Sequence, residues 1–283
     1  MGAKKRQNVR RHLGLELSGP RGDHTFLCAL DVFPHSHRCV LTDVLQPKED
    51  FDPDQPLIEA IKNLSSIQGG QCAGIGVNAP LSFPPLFRSL LKGKATSSEN
   101  KELKWMQETH KELLEKMKIK AFLPYLQRAG EIYLRHFTKE RFPIADSFSS
   151  SGATLAIRLL YCQKFIKKTS FSEVYARGAV QRICQSLRMP KFVENNYSHL
   201  TSGVEARYEF FQNLQSKVPG FFFYDEHLET LTMHIHAFNS FVCALTDVLS
   251  FAQATERKPG HFPSETSWIL LPKQVITWDR VFK

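Results

Sequence analysis

The sequence predicts an α/β fold in a single domain of 283 residues. Three observations carry that expectation. The stretch "HLGLELS", residues 12–18, alternates strictly, with Leu13, Leu15 and Leu17 on one face and Gly14, Glu16 and Ser18 on the other. Two more apolar runs follow it across short turns, as in an antiparallel meander. A glycine-bearing run, "AGIGVNAPLSFPP" at residues 73–85, then comes after a helical segment, which sets the order β-β-β-α-β.

Each element has its own local reason. "GPRGD" turns the chain into the apolar run 25–33, and "PHSH" reverses it into "RCVLTDVL", 38–45. Asp54 can cap a helix running to about Leu64. In the glycine strand Ala73, Ile75 and Val77 share one face, and Gly74, Gly76 and Asn78 share the other. Pro80 holds Ala79 extended, and Pro84-Pro85 can open a helix. From Leu86 to about Phe137 the pattern is helical and charged, with "TSSENKELKWMQETHKELLEKMKIK" as an amphipathic helix. Strands resume afterwards, so 86–150 reads as a helical insertion or lid within the domain. "SSSGATLAIRLLYCQKFIKK" reads as a helix capped by Ser151, and "SFSEVY", 170–175, as a short strand. Helices are expected near 176–187 and 203–216. Beyond Leu228 one stripe, Leu231, Ile235, Phe238, Val242, Leu245, Leu249 and Ala252, predicts a single long helix with Asn239 at the stripe's edge. "WILLP" reads as a closing strand.

Composition narrows the setting. No run approaches the roughly 18 to 20 apolar residues that span a bilayer. Residues 1–11 read as a basic flexible tail carrying Lys4, Lys5, Arg6, Arg10 and Arg11, with no signal-peptide core behind it. Arg6 stands where a myristoylation signal needs Ser or Thr. Six cysteines are scattered without a CxxC pair, the pattern of free thiols in a reducing, cytoplasmic compartment. The net charge of +9 makes nucleic acid an expected partner, against the plainer reading of a solvated basic surface.

Glu16 stands out as candidate chemistry. A carboxylate inside an apolar strand costs several kcal/mol of desolvation unless it is paired or bound. If the first and fourth strands are neighbours, Gly14, Glu16 and Ser18 meet Gly74, Gly76 and Asn78, and the glycines leave room for a ligand between polar side chains. Glu173 is a second carboxylate breaking a β-rich run. His234 and His236, two apart on a helix, point about 200° from each other and read as surface or packing residues. Dinucleotide-binding, phosphate-loop and nucleophile-elbow motifs are not found.

Taken together, "GLELSG", "GIGVNAPLSFP", "EVY", "HAFNSFVCALT" and "WILLP", in that order, resemble the domain of unknown function 429 family, and "PYLQRAGEIYLR" is similar to its arginine-bearing segment. The resemblance implies a predicted nuclease with a ribonuclease H-like fold, a mixed five-stranded sheet of three antiparallel strands followed by parallel ones. It implies a site of Glu16, Asn78 and Asn239, with Glu173 as an additional acid. It further implies Ser18 and Arg128 as substrate contacts and Mg²⁺ or Mn²⁺ held by Glu16 and Glu173. This chain departs from the family by carrying amides at 78 and 239, which weakens the carboxylate set; Asp225 or Asp247 could compensate. The expected function is therefore a metal-dependent nuclease-family protein acting on or binding nucleic acid. The alternative is a catalytically silent module that keeps the pocket for nucleic acid, a small anion or a protein.

Overall fold

The computed structural model describes residues 9–19, 24–48, 54–67, 70–93, 100–117, 122–148, 152–166, 169–264 and 266–283. Three strands come first, β1 (Val9–Glu16), β2 (Phe26–Phe33) and β3 (Arg38–Leu45), followed by helix α1 (Asp54–Ser65) and strand β4 (Gly70–Val77). Helices α2 (Pro85–Leu91), α3 (Lys101–Met117), α4 (Ala129–His136) and α5 (Gly152–Gln163) come next, then strand β5 (Phe171–Val174). The remainder is α6 (Ala176–Ser186), α7 (Lys191–Asn196), α8 (Gly203–Lys217), β6 (Phe221–Phe222), α9 (Asp225–Met233), α10 (Ile235–Phe251) and β7 (Ile269–Leu270). None of the helices among the described residues is long and apolar enough to cross a membrane.

The strands form one mixed sheet in the order β6-β3-β2-β1-β4-β5-β7. β1, β2 and β3 pair antiparallel, while β4 and β5 extend the other side of β1 in parallel. The expected α/β class, with antiparallel strands leading into parallel ones, is what the chain forms. The five strands that the resemblance implies become seven among the described residues: β7 lies in "WILLP", where a closing strand is expected, and β6 is two residues that pair in parallel with Cys39 and Val40. Two residues are too few to show an alternation, so β6 left no trace in the pattern. Val9, Arg10 and Arg11, expected in the flexible tail, open β1 instead. Arg11 is held there by Asp31 on β2, through bonds of 2.6 and 2.7 Å. The rest of that tail, residues 1–8, lies outside the described residues.

The chain divides into two compact units. The first comprises Met1–Asn78, Tyr161–Glu256 and Leu270–Lys283, and the second Ala79–Leu160 and Arg257–Ile269. The stretch 86–150 falls wholly inside the second unit.

In the first unit, α10 lies against β1, β2 and β4. Its fit depends on glycine. A Cβ on Gly14 would collide with the carbonyl oxygen of Ser240 and the amide of Ala244, and one on Gly76 with the carbonyl of Cys243. A Cβ on Gly74 would sit 2.8 Å from Asp247 Oδ2. Ser240, Cys243, Ala244 and Asp247 recur at helical spacing, so a small-residue stripe on α10 meets the glycine face of the sheet. The large residues of α10, Phe238, Phe241, Val242, Leu245 and Leu249, are buried with Phe210 and Phe211 of α8 and Ile183 of α6.

The long helix expected from Leu228 onward is two helices. His234 is extended (φ −113°, ψ 114°) and separates α9 from α10. The buried guanidinium of Arg207 donates to the carbonyls of Thr232 (2.7 Å), Met233 (3.4 Å) and Tyr197 (2.5 Å), which takes up carbonyls at the end of α9. The apolar stripe continues across the break, so periodicity alone reads as one helix.

The second unit packs Trp105, Met106, Ala129, Ile132 and Phe262 together. It also buries charge. Glu102 receives Arg88 at 2.5 Å and the Ala129 amide at 3.0 Å, and Glu131 receives Arg128 Nε at 2.9 Å and the Ser147 hydroxyl. Desolvation raises the pKa of both carboxyls despite these partners.

Candidate functional site

Glu16 ends β1 on the face that carries Gly14, so its carboxylate points to the start of α10 rather than into the apolar face of Leu13 and Leu15. It is 6% exposed. Such a group must be hydrogen-bonded, and two amides do this. Asn78 Nδ2 donates to Oε2 at 2.8 Å and Asn239 Nδ2 donates to Oε1 at 3.2 Å. His236 Nδ1 lies 3.5 Å from Oε1, close enough for attraction but without a hydrogen bond.

The amide of Asn78 has its orientation set by its other neighbour. Asn78 follows β4, and its backbone N–H continues the β1 ladder by donating to Leu15 O at 3.0 Å. Its Oδ1 accepts from the N–H of Ala176, the first residue of α6, at 3.3 Å. An N–H on one side and a carboxylate on the other require an acceptor and a donor, which an amide supplies and a carboxylate does not. Asn78 therefore links the N-terminus of α6 to Glu16.

Asn239 and His236 are one turn apart in the first turns of α10. The His236 ring stacks on His24, with centroids 4.8 Å apart and planes 14° apart, and His234 stacks on Phe26 at 5.7 Å. Burial raises the Tyr197 hydroxyl well above its ordinary pKa, and the Glu16 charge adds to this; the Cys243 thiol is raised in the same way. Asn239 Oδ1 is buried without a hydrogen-bond partner. His236, expected as a surface or packing residue, does pack its partly exposed ring on His24, and in addition it faces Glu16. Its signal was its position three residues before Asn239, the spacing of neighbours on one helix face.

The other expected site residues lie elsewhere. Glu173 pairs with Val77 and so shares that residue's face, whereas Gly76 and Val174 face α10 with Glu16. It does not join the cluster. Ser18 closes the β1–β2 connection, with its hydroxyl 3.2 Å from Thr25 Oγ1 and accepting from the His24 N–H at 3.3 Å. Arg128 belongs to the second unit, is 2% exposed and is ion-paired with Glu131. Asp225 is exposed in the first turn of α9. Asp247 Oδ2 accepts from His12 Nδ1 at 2.8 Å, and His12 lies four residues before Glu16, about 13 Å along the strand. Neither aspartate compensates for the amides. The glycines expected to leave space for a ligand are instead covered by α10, Gly14 and Gly76 by its backbone and Gly74 by the Asp247 side chain.

A hard divalent ion is bound by anionic and carbonyl oxygens. Here both oxygens of the one carboxylate face amide N–H donors, and the Asn78 oxygen is turned to Ala176. That donor set does not fit Mg²⁺ or Mn²⁺. Among the described residues no group of three or more His, Cys, Asp and Glu side chains is arranged to hold a metal. The chain matches no family model, no curated protein and no solved structure.

Proposed function

We propose that this chain is a ribonuclease H-like protein that binds nucleic acid without hydrolysing it, the silent-module alternative rather than the metal-dependent nuclease. One observation carries this reading: Asn78 bridges Ala176 N–H to Glu16, so the position where a nuclease of this kind would need a second carboxylate is occupied by an amide held in place from both sides. The order β3-β2-β1-β4-β5, with Glu16 at the end of strand one, Asn78 after strand four and Asn239 in the final long helix, supports the ribonuclease H-like assignment. Net charge supports a polyanionic partner. Six cysteines with no disulfide among them support a reducing, cytoplasmic compartment. The Glu16 cluster serves as a polar junction joining β1, the end of β4, α6 and α10.

The test combines two assays on the full chain. Labelled DNA and RNA oligonucleotides should be bound with salt-dependent affinity, while plasmid and RNA substrates should survive incubation with Mg²⁺ or Mn²⁺. Metal-dependent cleavage that is lost in Glu16→Gln would overturn the silent reading and restore the nuclease. Absence of binding at low salt would remove nucleic acid as the partner.

A further inference from the structure

The positive charge of this protein is not spread evenly. The second unit carries sixteen Lys and Arg against nine Asp and Glu, a net of +7 out of the chain's +9. Within that unit the first two turns of α3 present Lys101, Lys104, Trp105 and Glu108; Lys104 and Trp105 lie three and four residues after Lys101, and Glu108 four and three after them, so the four share one helix face. The turn Gly260, His261, Phe262, Pro263 and Ser264 faces them across a cavity of about 390 Å³.

The groove has an aromatic floor and a cationic rim. Trp105 and Phe262 are buried side by side with ring centroids 5.5 Å apart, and the Lys258 ammonium lies 5.2 Å from the Phe262 ring. Lys101, His261 and Lys258 are exposed around this floor. Among the described residues Glu108 is the one acid lining it, and Lys104 stands 3.9 Å away with both side chains mostly in solvent, a pairing too weak and screened to hold the lysine back. The floor keeps its shape through packing; Lys258 is tethered to the Thr266 carbonyl at 3.4 Å, while Lys101 and Lys104 extend into solvent from α3. That combination suits a ligand whose negative charge repeats along its length.

We propose that this groove in the second unit is the contact surface for the phosphodiester backbone of nucleic acid. The proposal rests on the nucleic-acid reading above and assigns the binding to the second unit rather than to the Glu16 cluster. Glu16 is a buried anion and would repel a phosphate, so the two places have opposite chemistry. Contact through lysines to phosphates carries no base information, so affinity should be nearly the same for sequences of different composition.

The experiment measures fluorescence anisotropy of labelled single-stranded and duplex oligonucleotides at several salt concentrations with the full chain. Lys101→Glu/Lys104→Glu is compared with Lys62→Glu/Lys191→Glu, which makes the same change in net charge at exposed positions of the first unit. The groove variant is expected to bind at least roughly tenfold more weakly and to flatten the slope of log K against log salt by about 1.4 to 1.8, two phosphate contacts' worth. The control variant should stay within about twofold of wild type. Equal weakening of both variants, or wild-type affinity in the groove variant, would overturn the groove while leaving nucleic-acid binding intact. No binding by wild type would overturn both. Matching thermal unfolding of the variants and wild type shows that the comparison is between folded proteins.

Discussion

Gly14 lies directly beneath Ser240: the strand and the helix approach so closely that the carbonyl oxygen of Ser240 occupies the space a β-carbon on Gly14 would need. This contact sets the depth of α10 on the sheet, and with it the height at which Asn239 and His236 meet Glu16. Gly14→Ala is therefore expected to cost about 3 kcal/mol or more, because backbone rather than a flexible side chain must move. Gly19, with open space around its Cβ position, provides the control, and Gly19→Ala should fall within about 0.5 kcal/mol of wild type. Denaturant unfolding of the two variants reads the difference directly. Equal stabilities would mean that α10 is not seated on the glycine face.

The approach also explains what sequence reading could and could not reach. Alternation in residues 12–18 and 73–78 gave the strand faces, because period-two patterning follows from the pleat alone. That is why Glu16 and Asn78 were legible as neighbours. What the glycines face was not legible, since a bare backbone accommodates a ligand or a helix equally well. The face of Glu173 depends on its register with Val77, a pairing between strands with α5 and much of the second unit between them in sequence. The break at His234 leaves no mark in the apolar period, because it depends on Arg207, some 25 residues earlier on α8.

Asn78→Asp tests the amide bridge. The substitution keeps the acceptor for Ala176 N–H but replaces the donor to Glu16 with a second negative oxygen. Loss of a hydrogen bond to a charged group, plus like-charge repulsion, should destabilise the fold by about 2 to 4 kcal/mol at pH 7. The loss should shrink at pH 5, where one of the apposed carboxyls is more readily protonated. Asn78→Asp combined with Asn239→Asp should in addition gain Mg²⁺-dependent stability that wild type lacks, because three carboxylates around one point form a cation site. Thermal unfolding with and without Mg²⁺ at both pH values checks each part. An unchanged melting temperature in Asn78→Asp would show that the amide's orientation is not what holds Glu16.

Buried acids in the second unit set a pH dependence of unusual sign. Desolvation raises the folded-state pKa of Glu102 and Glu131 above 4.5, so between that value and the raised one the folded chain binds more protons than the unfolded chain. Stability contributed by these groups therefore falls as pH rises through the window and is flat above it. Glu102→Gln removes one of the two titrations. Its absolute stability should drop because Arg88 loses its carboxylate, but its stability should fall less steeply than that of wild type across the window. Urea unfolding at closely spaced pH values separates slope from offset, and parallel curves for the two proteins would rule Glu102 out as a source.

Arg207 is the residue that fixes the break between α9 and α10. Burial lowers its pKa, yet a guanidinium retains its charge, and its three donors go to backbone carbonyls rather than to an acid. With those donors gone, Thr232, Met233 and Tyr197 each keep a carbonyl that must find water or remain unpaired. Arg207→Met is expected to cost about 3 kcal/mol, close to one for each bond. The more telling readout is local. Amide hydrogen exchange should accelerate across 232–239, which includes the turn that carries His236 and Asn239, while the interior of α10 near Ala244 stays protected. Arg207→Lys should recover part of the stability but less of the protection, since an ammonium cannot spread its donors over three carbonyls as a planar fork does. Uniform exchange across both helices in Arg207→Met would instead mean that the break is held by packing of Phe238 and its neighbours, and that Arg207 contributes only to overall stability.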